Sequence, residues 1–217
     1  MMSNFAKIIV MKKNSPYTAA MTGGGFLFEE TNALLPLLQS EDSESLLKDE
    51  AVNNRLLHIN SETARKRNIN EIVRRYKAMP KTFWIDYFEM DEKDRRTANL
   101  FAILKTYKIL FDFHVNVTMR RWNSIAKSVS IDDIMMEFNE ISARDEFVDT
   151  WTETTKKKVA SAYLSILRKV KMMDNKNGLL PVSCNNFAYY LTHGEQWFLE
   201  ACLLQPYQIE SIKKTLL

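Results

Sequence analysis

Two stretches of this 217-residue chain bring hydroxyls, amides and cations together at helical spacing, Ser61 to Ala78 and Thr152 to Val170. In the first, Glu62, Thr63, Arg65, Lys66, Arg67 and Asn70 face outward near the start. In the second the outward set is Thr154, Thr155, Lys157, Lys158 and Ser161. Such groups bond phosphate oxygens, and some read bases, Arg pairing bidentately with guanine and Asn with adenine. Lys156 to Lys158 also occupy a first helical turn, where the helix dipole is already positive, so a bound polyanion would relieve their repulsion.

The charge around these stretches is segregated. Glu29 to Glu50 holds Glu29, Glu30, Glu41, Asp42, Glu44, Asp49 and Glu50 against Lys48 alone, whereas Asn60 to Lys81 holds Arg65, Lys66, Arg67, Arg74, Arg75, Lys77 and Lys81 against Glu62 and Glu71. The order recurs. Ile131 to Asp149 is acidic apart from Arg144, and Thr152 to Met173 carries Lys156, Lys157, Lys158, Arg168, Lys169 and Lys171 against Glu153. An acidic helix before a basic one, twice, is the pattern of two helix-turn-helix units whose second helices enter the major groove of DNA. The competing interpretation is a pair of solvated basic faces, neutralised in cis by the acidic segments that precede them.

The elements that must position these residues are helices. Only 5 Gly and 5 Pro interrupt the chain, too few for many short strands and turns. A first helix is expected from the Gly23–Gly25 run, kinked or ended early by Pro36, and a second after Ser43. A third is capped by Asn60 or Ser61, with Ala64, Ile69, Ile72, Val73 and Tyr76 inward. Thr97 to Met119 is apolar enough to suggest a membrane span. Lys105, Lys108, Asp112 and His114 exclude it, at about 2.5–3.5 kcal/mol for each charged side chain, and make it a long buried central helix. Ser130 and Thr152 cap two further helices; three short helices end the chain, and the only strand signal is a two-stranded piece at Leu179 to Val182. The fold expected is all-α and globular, with two helix-turn-helix units joined by that central helix. Its regions are an N-terminal arm (1–15), a helical region with the first unit (16–90), the central helix (91–128) and a helical region with the second unit (129–217).

Other signals carry less. Gly23–Gly25 lacks the Lys and Ser/Thr of a phosphate loop. His58, His114 and His193 stand apart, Cys184 and Cys202 look like buried thiols of a reducing compartment, and no metal, cofactor or catalytic set is expected. Asp112 should pair with Lys105 or Lys108. Trp84, Trp122, Trp151 and Trp197 could stack on single-stranded bases, but each sits in an amphipathic pattern that favours core packing. The N-terminal Ile8 to Met11 is too short for a signal-peptide core, and the segment reads as a mobile or docking arm.

The runs SPYTAAMTGGGFLFEE, SETARKRNINEIVRRYKAMP, TANLFAILKTYKILFDFHVNV and TWTETTKKKVASAYLSILRKV, followed by GLLP, resemble the BrxA family of bacterial phage-exclusion (BREX) systems, over about Ser15 to Pro181. The resemblance implies a monomeric, cytoplasmic, non-enzymatic protein that binds double-stranded DNA through two helix-turn-helix elements beside positive surfaces. Carried onto this sequence, the DNA-facing residues are Arg65, Lys66, Arg67, Asn70 and Arg74, with Thr155, Lys157, Lys158 and Ser161. The implied partners are the other BREX proteins: an adenine-specific DNA methyltransferase, a large AAA-type ATPase and an alkaline-phosphatase-like protein. A protein–protein adaptor and an RNA-binding helical bundle are the alternatives. Gln205 to Leu217 lies outside the resemblance.

Overall fold

The structure, a computed structural model, describes Lys12 and residues 14–216, so most of the expected N-terminal arm lies outside the described residues. The chain divides into two compact units. An inserted unit spans Ala20–Thr106, and a flanking unit joins the residues up to Ala19 to those from Tyr107 onward. Among the described residues the regular elements are helical, as expected of an all-α protein, and the only β pairing is isolated bridges.

The inserted unit contains α1 (Phe28–Gln39), α2 (Ser43–Asn53), α3 (Glu62–Ala78), α4 (Lys81–Glu89) and α5 (Glu92–Thr106). Its glycine run is not a helix start. Ala20–Gly23 forms a 3₁₀ turn, and the carbonyls of Gly25 and Phe26 are held by the buried Arg75 guanidinium, with Asn99 Nδ2 donating to Phe26 O at 2.8 Å. Pro36 does not end α1, which runs through it to Gln39. Leu34, Leu38, Leu47, Leu57, Ile69 and Ile72 form one apolar cluster. Phe83, Trp84, Tyr87 and Phe101 form an aromatic one, with Trp84 Nε1 donating to Tyr76 O at 3.0 Å.

The expected central helix is broken. Tyr107, fully buried, adopts an extended conformation (φ −118°, ψ 100°) between α5 and α6 (Lys108–Phe113), which is where the two units divide. Beyond α6 the helix widens into a π-helical turn, His114–Met119, before a last turn at Arg120–Trp122. π turns lodge an extra residue per turn and often mark specialised positions. Here the turn carries His114 and Thr118 inward to Tyr163. The Tyr163 hydroxyl lies 3.0 Å from His114 Nδ1 and 2.5 Å from Thr118 Oγ1, and His114 Nε2 lies 2.7 Å from Ala201 O.

The rest of the flanking unit is α7 (Ile131–Arg144), α8 (Glu146–Asp149), α9 (Glu153–Lys169), α10 (Ala188–Thr192), α11 (Gln196–Ala201) and α12 (Pro206–Lys214). Ser130 forms a full capping box with Asp133 at the start of α7, as its sequence suggests. Phe113, Phe138 and Tyr163 meet edge to face at 4.9–5.6 Å, all fully buried. In place of a two-stranded piece at Leu179–Val182, single antiparallel bridges join Met173 to Leu179 and Ser128 to Gly178. Asp112 is buried and takes Lys108 rather than Lys105, with its other oxygen accepting from Tyr17 Oη at 2.8 Å. Burial and that carboxylate push the Tyr17 phenol up to about 12.

Candidate nucleic-acid interface

Both basic helices start on the same local design. Ser61 Oγ accepts from Ala64 N at 3.3 Å at the head of α3, and Thr152 Oγ1 accepts from Thr155 N at 3.2 Å at the head of α9. The residues that follow align as Ser61-Glu62-Thr63-Ala64-Arg65-Lys66-Arg67 with Thr152-Glu153-Thr154-Thr155-Lys156-Lys157-Lys158. Burial repeats with them. Thr63, Lys66, Arg67 and Asn70 are exposed, as are Thr154, Lys157, Lys158 and Ser161, while Arg65 and Lys156 are both turned inward.

Arg65 is spent on the fold. Its Nε donates to Ala51 O at 2.8 Å, Nη2 to Val52 O at 3.1 Å and Nη1 to Ile59 O at 2.6 Å and Asn60 O at 3.1 Å. Ala51 and Val52 are among the last carbonyls of α2, which lack partners within their own helix, so one guanidinium closes that helix and fixes the connection to α3. The Glu50 carboxylate completes this connection by accepting from the backbone N–H of Arg55, Leu56 and Leu57. In the second copy Lys156 Nζ reaches back to Ser142 Oγ on α7 at 2.9 Å. Residues 54–61 and 145–152 join the two helix pairs, longer than the about three or four residues of a common helix-turn-helix turn, and α8 occupies part of the second.

The acidic segments make their ion pairs elsewhere, although the Glu44 carboxyl, held down by Lys48, is also drawn down by Lys77 on the outward face of α3. Glu44 pairs with Lys48, Asp49 with Arg55, Asp133 with Arg121 and Glu137 with Arg144. Among the exposed cations of α3, only Lys66 is paired with a described acid, Glu62 of its own helix at 2.6 Å, and its contact holds the Glu62 carboxyl below the usual range. Arg67, Arg74, Lys157 and Lys158 form no ion pair with a described acidic side chain. At 3.6 residues per turn, Thr63, Arg67, Asn70, Arg74 and Lys77 fall on one face of α3, and Thr154, Lys158, Ser161, Ser165 and Arg168 fall on one face of α9.

A BrxA family model matches residues 15–185. The chain belongs to the BrxA family. Membership places it in BREX phage defence. It is 21% identical over 168 residues to the BREX protein BrxA of Bacillus cereus (strain H3081.97), across 77% of this chain and 84% of that one. It shares its fold with the crystal structure of an uncharacterized protein from Magnetospirillum magneticum, at a TM-score of 0.74 and 20% identity over 87% of this chain and 98% of that chain.

In this BrxA-family chain the residues singled out from sequence separate. Thr63, Lys66, Arg67, Asn70 and Arg74 lie exposed on α3, and Lys157, Lys158 and Ser161 on α9. Arg65 does not belong with them: it is buried with every guanidinium nitrogen bonded to backbone. Thr155 is half-buried in the helix cap, its hydroxyl 3.0 Å from that of Thr152. Lys77, Ser165 and Arg168, which extend the two faces, were not singled out; counting on by 3 and 4 from Asn70 and Ser161 finds them. Among the described residues no group of His, Cys, Asp and Glu could hold a metal ion, and no helix is long and apolar enough to cross a membrane.

Proposed function

We propose that this protein is a non-enzymatic component of a BREX system that binds double-stranded DNA through the outward faces of α3 and α9, acting alongside the system's methyltransferase, ATPase and phosphatase-like proteins. The observation that carries this reading is the repeated helix start, with two or more exposed cations each time and no described acid over Arg67, Arg74, Lys157 or Lys158. Phosphate contact dominates such a surface, because exposed Lys and Arg side chains meet phosphate oxygens in any sequence. Charge reversal at Arg67 and Arg74, or at Lys157 and Lys158, is expected to weaken duplex binding and to flatten its dependence on log salt by about two units for each pair. A titration at several salt concentrations measures both; an unchanged slope with an unchanged melting temperature rejects the reading.

One observation favours the adaptor alternative for the inserted unit. A hollow of about 730 Å³ beside α3 has an apolar floor of Leu38, Leu47, Ala51, Ile69 and Val73, with Lys48 and Lys77 at its rim. Association with other BREX proteins that survives nuclease, in a protein indifferent to purified DNA, would select that reading.

A further inference from the structure

The exposed face of α9 ends at Arg168, and Arg168 is not aimed at solvent alone: its Nη2 donates to Asn177 Oδ1 at 2.8 Å. Asn177 belongs to a small hairpin that follows the helix. The chain reverses at Lys171 (φ 63°), runs through Met172 and Met173, turns at residues 174–178 and returns through Leu179 and Leu180. Leu180 N donates to Met172 O at 2.8 Å and Asp174 N to Gly178 O at 2.9 Å. The returning arm is paired on its other side too, where Leu179 N donates to Lys127 O at 2.7 Å and Val129 N to Asn177 O at 3.2 Å. Three short segments therefore lie side by side, joined by single antiparallel bridges, with 177–180 in the middle. One precedes α7 and two follow α9, so that the helices α7 to α9 are bracketed by these bridged segments.

The hairpin is anchored and stiff. Val129, Met172, Met173 and Leu179 are buried beneath it. At its tip Asp174 Oδ1 accepts from Lys176 N at 2.7 Å and Gly178 N at 2.8 Å, and a Cβ at Gly178 would come within 2.9 Å of Asp174 Oδ2. This occupies the one acid of the tip in holding the turn. Lys171 and Lys176 are exposed and form no ion pair with a described acidic side chain. Through Arg168 the tip is tied to the same face of α9 that carries Lys158 and Ser161.

We propose that residues 171–180 form a wing that grips DNA phosphates beside the groove entered by α9, with Lys171 and Lys176 as the contacting groups. The proposal rests on the DNA reading above. Between Lys158 and Arg168 that face carries Ser161 and Ser165 in place of cations, and the hairpin adds positive charge beside Arg168. Duplex DNA suits this layout because its phosphates recur along both groove walls, so that a helix and an adjacent loop meet the same backbone at two places.

The test uses the full chain and a mixed-sequence DNA duplex, with binding followed by fluorescence anisotropy across salt concentrations. The combined variant Lys171→Glu and Lys176→Glu is expected to bind about tenfold more weakly and to lose about two units of salt slope. Lys176→Gln, which removes charge without adding repulsion, is expected to lose about one, and it serves as the variant least able to disturb folding. Wild-type binding that depends on Lys157 and Lys158 but is unaltered in both hairpin variants overturns the wing alone. So does a hairpin variant that loses an acidic protein partner while its DNA affinity and slope stay put. A wild-type protein that ignores the duplex overturns the underlying reading instead.

Discussion

The two helix pairs share a beginning and differ in how they are finished. In the flanking unit α7 packs on α9, with Ile134, Phe138 and Ile141 of the one and Val159 and Tyr163 of the other fully buried, and the hairpin follows α9. In the inserted unit α2 buries little beyond Leu47, Glu50 and Ala51, leaves Val52 60% exposed, and borders an open hollow. There the connection is held by polar means, with Arg65 and Glu50 bonding the backbone between α2 and α3. One pair is thus fixed chiefly by packing, while in the other a smaller apolar cluster is supplemented by a buried guanidinium and carboxylate.

Core truncation should separate the two most widely. Phe138→Ala removes a ring packed edge to face on Phe113 and is expected to cost about 3–5 kcal/mol in a denaturant titration, whereas Leu47→Ala, at the mouth of the hollow, should cost about 2 kcal/mol. Comparable losses would mean that the hollow is not a packing deficit.

Acid should act on the flanking unit. Burial holds the His114 imidazole down at about 4, against the Ala201 carbonyl that favours its charged form. Because the unfolded chain titrates near 6.5, it takes up a proton that the folded chain refuses as pH falls from about 6.5 to about 4. Stability is therefore complete above that window and drops by about 3 kcal/mol across it. Melting temperatures along a pH series measure this, and His114→Asn should flatten that part of the profile.

The polar supports come next. Arg65→Met leaves four backbone carbonyls without their donor and should cost about 3 kcal/mol; Lys156→Met loses one hydrogen bond to Ser142 and should cost about 1 kcal/mol. If Arg65→Met instead melts like the wild type and binds DNA less well, the side chain does not hold the connection as described. The smallest effects are expected at the uncharged outward positions. Asn70→Ala and Ser161→Ala should each change mixed-sequence duplex binding by less than about threefold, since phosphate contacts set affinity there. A larger drop at Asn70 on one sequence would mark the inserted unit as the one that reads bases.

What the sequence disclosed follows the range of the forces involved. Caps at Ser61, Ser130 and Thr152 are three-residue affairs and all three form, whereas Ser43, also expected to cap, is the first residue of α2 and makes no cap bond. The exposed cations of α3 and α9 were legible for the same reason. Arg65 was misjudged because it was grouped with neighbours of like charge, yet it stands four residues before Ile69 and seven before Ile72, on the inward face, as Lys156 stands before Ala160 and Tyr163. The same rhythm, applied to charged residues as strictly as to apolar ones, would have placed both. The break at Tyr107 has no local mark, neither Gly nor Pro, and falls at a fully buried residue. The hairpin was legible only in its returning arm, the strand signal at Leu179 to Val182, since its pairing with 127–129 spans three helices and rests on single bridges.

The bond from Tyr17 to Asp112 crosses 95 positions, and everything from Ala20 to Thr106 is made between its two ends. On the ribosome, the inserted unit can therefore finish folding while the segment before it still waits for a partner not yet translated. A nascent chain arrested shortly after Thr106 should already resist protease across the inserted unit, and Tyr17 should become protected only once α6 has emerged.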